Sequence, residues 1–96
     1  MPPATRHNDK DTGHDDCPSR GLSGHSPNVF INGRGAGRVG DAYPAHSCPV
    51  HPPHGGVIAS GSGTVFINGI PAGRIGDPVS CGGSVAEGSG DVFIGG

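Results

Sequence analysis

The side chains of this sequence best able to do chemistry are its six histidines and three cysteines. Imidazole nitrogen and thiolate sulfur are ligands for a borderline-soft divalent ion. An alignment at an offset of 27 residues sets His54-Gly55-Gly56-Val57 over Cys81-Gly82-Gly83-Ser84 and Gly61-Ser62-Gly63 over Gly88-Ser89-Gly90. His46 follows Asp41 much as Cys81 follows Asp77, and His14 in Thr12-Gly13-His14 is the nearest upstream counterpart. His14, His46, His54 and Cys81 together offer three imidazoles and one thiolate, a closed four-ligand set of the structural zinc kind. Such donors disfavour Ca²⁺ and Mg²⁺, which prefer oxygen, and leave Fe²⁺ open beside Zn²⁺. His51 competes with His54, and Cys17 and Cys48 compete with Cys81; the register of His54 on Cys81 decides. No CxxC pair and no HExxH helix is present. His7 and His25 occupy no equivalent positions and read as surface residues. Three cysteines cannot complete a disulfide framework, and Cys17 and Cys48 read as free thiols, with a Cys17–Cys48 disulfide after export as the alternative.

A repeated unit must position these groups. Val29-Phe30-Ile31-Asn32-Gly33 followed by Ala36-Gly37-Arg38-Val39-Gly40-Asp41 recurs at an offset of 36 as Val65-Phe66-Ile67-Asn68-Gly69 and Ala72-Gly73-Arg74-Ile75-Gly76-Asp77. A third Val92-Phe93-Ile94-Gly95-Gly96 ends the chain, and the matching second half stands at the start, as Pro3-Ala4-Thr5-Arg6-His7-Asn8-Asp9. The units run roughly over residues 10–41, 42–77 and 78–96, the last completed by 1–9. Each Val-Phe-Ile is a β-branched and aromatic strand, and Asn-Gly after it is the favoured pair of a two-residue type I′ turn. Gly95-Gly96 meets the same demand. No ten-residue window free of Gly and Pro carries a helical apolar period, so helices are not expected. The reading is a small all-β domain of three pseudo-threefold hairpins closed by its termini, with Ala4-Thr5-Arg6 paired to Val92-Phe93-Ile94. Arg6, Arg38 and Arg74 repeat with Asp9, Asp41 and Asp77, and residues that repeat with the fold brace it rather than catalyse.

Composition narrows the function further. Gly 20 and Pro 10 make nearly a third of the chain, while Leu, Ile, Val and Phe together are under a fifth. A core so poor needs a metal, a disulfide or a partner to offset chain entropy. The net charge of −2 argues against nucleic acid as a partner. No apolar run reaches the ~18 residues of a membrane span, and Met1-Pro2-Pro3 does not open a signal peptide. The glycines of Gly33-Arg34-Gly35-Ala36-Gly37 lead into no helix that would bind phosphate, and no spacing of Ser, His and Asp singles out a nucleophile. The expectation is a protein that is not an enzyme. A small zinc hydrolase would need three protein ligands and an open water position, whereas four candidate ligands are present. A metal-storage or sensing module is the other rival.

The repeated Pro-Ala-x-Arg-x-Gly-Asp and Val-Phe-Ile-Asn-Gly segments resemble the PAAR-repeat family over nearly the whole chain. His7-Asn8 stands where that pattern has an apolar-Gly pair, Gly35-Ala36-Gly37-Arg38 lacks the proline, and the Ser47–Pro53 segment is longer and richer in proline. The resemblance implies a metal-stapled cone capping the trimeric VgrG spike of a bacterial type VI secretion system, with a phage tail spike as the alternative. It implies a zinc near the apex held by His14, His46, His54 and Cys81, the set reached from spacing. One copy per spike trimer, separately carried effector proteins, transient contact with a target membrane, and assembly in the cytoplasm before export are the further expectations. With the chain ending at Gly96, no effector domain is expected within it.

Overall fold

The computed structural model describes residues 1–14, 17–48 and 51–96. Its strands are β1 (Phe30–Ile31), β2 (Arg34–Gly35), β3 (Ala42–Cys48), β4 (His51–Val57), β5 (Phe66–Ile67) and β6 (Ile70–Pro71). They form three antiparallel two-stranded ladders, β1-β2, β3-β4 and β5-β6, and no helix occurs among the described residues. The body measures 37 × 23 × 23 Å, one long axis and two equal short ones.

β1-β2 and β5-β6 are the repeated hairpins. Phe30 faces Gly35 and Phe66 faces Pro71 across the ladders. Their turns place Asn32 and Gly33 at φ 54° and 77°, and Asn68 and Gly69 at 55° and 76°, as a type I′ turn requires. In the third copy only Gly96 adopts positive φ, so Gly95-Gly96 does not reproduce that turn. Its return strand is supplied by the other terminus: Pro3 pairs with Phe93, the Ala4 amide donates to the Val92 carbonyl, and the Ile94 amide donates to Pro2. The pairing is displaced from that expected, because Thr5 and Arg6 are engaged elsewhere.

That engagement is a closed ring. Ala4 pairs with Arg74, Arg38 with Ala72, and Arg6 with Ala36. The Thr5 amide donates to the Gly73 carbonyl (3.1 Å), the Gly73 amide to Gly37 (2.9 Å), and the Gly37 amide to Thr5 (3.0 Å). Three equivalent segments thus meet at one axis, which has little room for side chains. A Cβ on Gly37 would lie 2.7 Å from Leu22 Cδ2 and 2.8 Å from Thr5 Cγ2, and one on Gly73 3.0 Å from Ile58 Cδ1. Thr5 alone places a side chain there.

The ring separates two apolar clusters. One takes Ile31, Ile67, Ile94, Ala4, Ala36 and Ala72, two residues from each unit. The other takes Leu22, Ile58 and Val85, again one per unit, with Tyr43 and Val79. Burial of each aliphatic side chain contributes about 1.5–3 kcal/mol, so the tiny residues of the ring act through what they let the others reach. Ser26, Ser62 and Ser89 are buried, and each hydroxyl accepts the amides two and three residues on.

The repeated Arg and Asp residues brace the units. Asp9, Asp41 and Asp77 each accept the backbone amide and the side chain of Arg6, Arg38 and Arg74 three residues earlier, at 2.7–3.3 Å. Each pair closes a turn with positive φ at its third position, 70° for Asn8, 88° for Gly40 and 94° for Gly76. Asn tolerates this backbone better than other side chains, which accounts for Asn8 where the other units have Gly. The hydrogen bonds to Asp9 and Asp41 hold Arg6 and Arg38 above the usual arginine pKa.

β3 and β4 depart from the repeat. Residues that lie between the repeated hairpins form the two longest strands, seven residues each, despite Pro44, Pro52 and Pro53. In a two-stranded ladder both strands are edges, so a proline can turn its missing donor away from the partner. Register shifts fall between Tyr43 and His46 and between His46 and Cys48.

Two outcomes are expected. Removal of residues 1–8 opens the ring and should lower Tm by roughly 10 °C or more, since each kcal/mol shifts a domain of this size by ~4–8 °C. Amide hydrogen exchange should find Thr5, Gly37 and Gly73 equally protected. Tyr43 is the single tyrosine, and burial raises its pKa well above the ordinary value. The sign is that of a group holding its proton more tightly when folded. Stability is present below about pH 10 and lost as pH rises further. Absorbance at 295 nm should accordingly show phenolate only as the protein unfolds.

Candidate metal centre

His14, His46, His54 and Cys81 converge, their ligand atoms all within 4.8 Å of one another. Each arrives by a different local device. His46 and His54 are direct cross-strand partners on β3 and β4, so their rings fall on one face. His14 is fixed to Cys17 through its backbone, the Cys17 amide donating to the His14 carbonyl (2.8 Å). Cys81 sits in the turn after Val79, where the Gly82 amide donates back to the Val79 carbonyl. The approach of Cys81 depends on Gly56, whose added Cβ would lie 2.8 Å from Cys81 Sγ.

The three Nε2 atoms form a near-equilateral triangle: His14–His54 2.9 Å, His46–His54 2.9 Å and His14–His46 3.1 Å. A tetrahedral ion with bonds of about 2.0–2.1 Å holds its nitrogens roughly 3.3–3.4 Å apart, close to these edges. The other nitrogens decide the tautomers. His46 Nδ1 faces the Pro18 carbonyl and His54 Nδ1 the Pro52 carbonyl, each at 2.8 Å. A carbonyl only accepts, so both Nδ1 atoms carry the proton, and in the neutral rings both Nε2 lone pairs face the shared centre. Two lone pairs 2.9 Å apart repel, and a cation between them reverses the sign. The donor set therefore fits a metal ion that prefers nitrogen and sulfur.

Arg20 and Asp11 support this arrangement, and the sequence reading missed both. Asp11 is 1 % and Arg20 5 % exposed. Arg20 Nη2 donates to Asp11 Oδ2 (2.9 Å) and to Cys81 Sγ (3.2 Å), while Nη1 donates to the Pro44 carbonyl (3.1 Å). Asp11 Oδ1 also accepts the Arg20 amide (2.8 Å), and the guanidinium lies 5.5 Å from the Tyr43 ring centroid. Burial opposes the charge on Arg20, but the hydrogen bonds to Asp11 and Cys81 outweigh it and raise the pKa. Arg20 Nε and the Tyr43 hydroxyl are buried with no partner among the described residues. Neither Arg20 nor Asp11 repeats with the units, so the repeat pattern could not find them.

Other expectations changed. Cys17 and Cys48 are joined in a disulfide, the alternative to the free thiols preferred from the sequence: the β3-β4 hairpin brings Cys48 beside Cys17 with Cα atoms 4.9 Å apart, within bonding range. Cys81 is the free thiol. His7 and His25 are not plain surface groups; both are half-buried with ring centroids 4.5 Å apart. His51 pairs through its backbone with Cys48, but its side chain lies outside the described residues, as do Pro49 and Val50 of the Ser47–Pro53 segment.

Arg20→Ala should cost about 3–5 kcal/mol in urea unfolding, because it strands the buried Asp11 carboxylate. Asp11→Asn with Arg20→Met should cost less than Arg20→Ala alone, since no buried charge is then unpaired.

The sequence profile of the PAAR motif matches residues 12–87, most of the chain. No curated protein matches it significantly.

Proposed function

Because this chain belongs to the PAAR-motif family, whose members are structural spike-tip proteins, we propose that it is the metal-stabilised tip of a contractile injection spike. The partner is a trimeric VgrG-like protein of a bacterial type VI secretion system, capped by one copy per trimer; a phage tail spike is the alternative setting. The tip assembles in the cytoplasm and leaves with the spike toward the target membrane. It performs no reaction of its own.

One observation carries the reading. Phe30, Phe66 and Phe93 are 47–58 % exposed at equivalent positions of the three units, beside the half-exposed Val29 and Val65. Each phenylalanine adjoins an isoleucine buried in the first apolar cluster, whereas Cys81 packs on the second, so the ring lies between the phenylalanines and the His/Cys cluster. A monomer presenting one apolar face three times around an axis can meet all three subunits of a trimer equivalently. The metal would be held by His14, His46, His54 and Cys81, and zinc suits them best. With all four bound it would have no open position for catalysis, and it would tie β3 and β4 to the backbone at His14 and Cys81.

Elemental analysis of protein purified without added metal should find one zinc per chain. Cys81→Ala and His54→Ala should each lose it and fall sharply in Tm, since structural zinc supplies on the order of 10 kcal/mol. His25→Ala should keep its zinc. Pull-down on the spike trimer should recover one copy per three spike chains, and the triple change Phe30→Glu, Phe66→Glu, Phe93→Glu should weaken capture at least about ten-fold. Full capture by that variant would sink the docking assignment.

A further inference from the structure

The Cys17–Cys48 disulfide is placed where it acts on the metal centre rather than on the frame. Cys17 is 5 % exposed, and neither cysteine belongs to either apolar cluster or to the ring. Cys17 is paired through its backbone with His14, its amide bound to the His14 carbonyl. Pro18, the next residue, supplies the carbonyl that orients the His46 ring. Cys48 lies two residues beyond His46 on β3 and pairs with β4, the strand that carries His54. The bond joins positions 31 residues apart and fastens the backbone paired with His14 to the hairpin bearing His46 and His54.

We propose that Cys17–Cys48 is a redox-operated lock on metal retention. The proposal rests on the metal reading above. With the bond closed, Cys17 and the His14 backbone paired with it stay against β3, and the three imidazoles stay converged. With the bond open, that tether is gone and the ligand cage parts more readily. Closing joins the two thiol sulfurs; their two electrons and two protons pass to a small disulfide such as oxidised glutathione, which leaves as two thiols. Opening is the reverse exchange. A tip assembled among reducing thiols would thus take up or exchange its metal, and one delivered into an oxidising medium would hold it.

The test uses the full chain loaded with zinc and follows transfer of zinc to a chromogenic chelator. Reduction uses a phosphine, which is oxidised to its oxide. Wild type should release zinc about 10–100-fold faster after reduction, the range seen when groups supporting metal ligands are removed. Cys17→Ser with Cys48→Ser should release at the fast rate with or without the phosphine. Protection of the Thr5, Gly37 and Gly73 amides, read by hydrogen exchange, should be unchanged throughout. Equal release from oxidised and reduced wild type, with zinc bound in both, overturns the lock alone. Acceleration only together with loss of ring protection also overturns it, since that is global unfolding. Zinc bound to no form overturns the metal reading and the lock with it.

Discussion

Everything in this fold hangs on three main-chain hydrogen bonds that run in a circle, from Thr5 to Gly73, from Gly73 to Gly37 and from Gly37 to Thr5. A circle of donors has no edge, so each unit is satisfied by the other two and none by itself. The next layer repeats the pattern, with the amides of His7, Val39 and Ile75 given to Gly35, Pro71 and Pro3. Packing three backbones at one axis leaves room for one side chain, that of Thr5, and the other two positions are glycine for that reason. A chain in which nearly a third of the residues are Gly or Pro is therefore ordered here, because its glycines spare space at the axis rather than adding freedom.

From the ring the structure builds in two directions with different means. Toward the phenylalanines it uses apolar packing, one isoleucine and one alanine from each unit. Toward the histidines the symmetric packing runs out after Leu22, Ile58 and Val85, and polar devices take over. There Arg20 is held between Asp11, Cys81 and the Pro44 carbonyl, a buried charge balanced on several sides. Such a network specifies one geometry at the expense of tolerance, since removing any member leaves another buried and unpaired. The disulfide and the convergent donors lie at the same end, Cys17 beside His14 and Cys48 on the strand that carries His46.

Much of the frame was legible. Asn32-Gly33 and Asn68-Gly69 announce their turns because few other residue pairs adopt two successive positive φ values. The split third repeat announced that the termini meet, although the pairing falls on Pro2–Ala4 and leaves Thr5 and Arg6 for the ring. The residues His14, His46, His54 and Cys81 were also selected from spacing, and the structure brings all four together. A further signal lay unused: His14 and His46 each stand five residues after the bracing Asp9 and Asp41, and Cys81 four after Asp77. Arg20 and Asp11 gave no such signal, having no counterparts in the other units.

The sequence by itself determined the repeat, its turns and the lack of helix among the described residues, because each rests on interactions within a few residues of the chain. It also determined the chemistry available, six imidazoles and three thiols in a chain with a poor apolar core. Only the tertiary structure decided which thiol stays free and which two join. That choice depends on the β3-β4 hairpin, whose strands hold three prolines and which carries Cys48 onto Cys17 while Arg20 is drawn to Cys81 across 61 residues. Contacts of that separation are set by how the units close around the axis, and closure is a property of the assembled ring rather than of any segment in it.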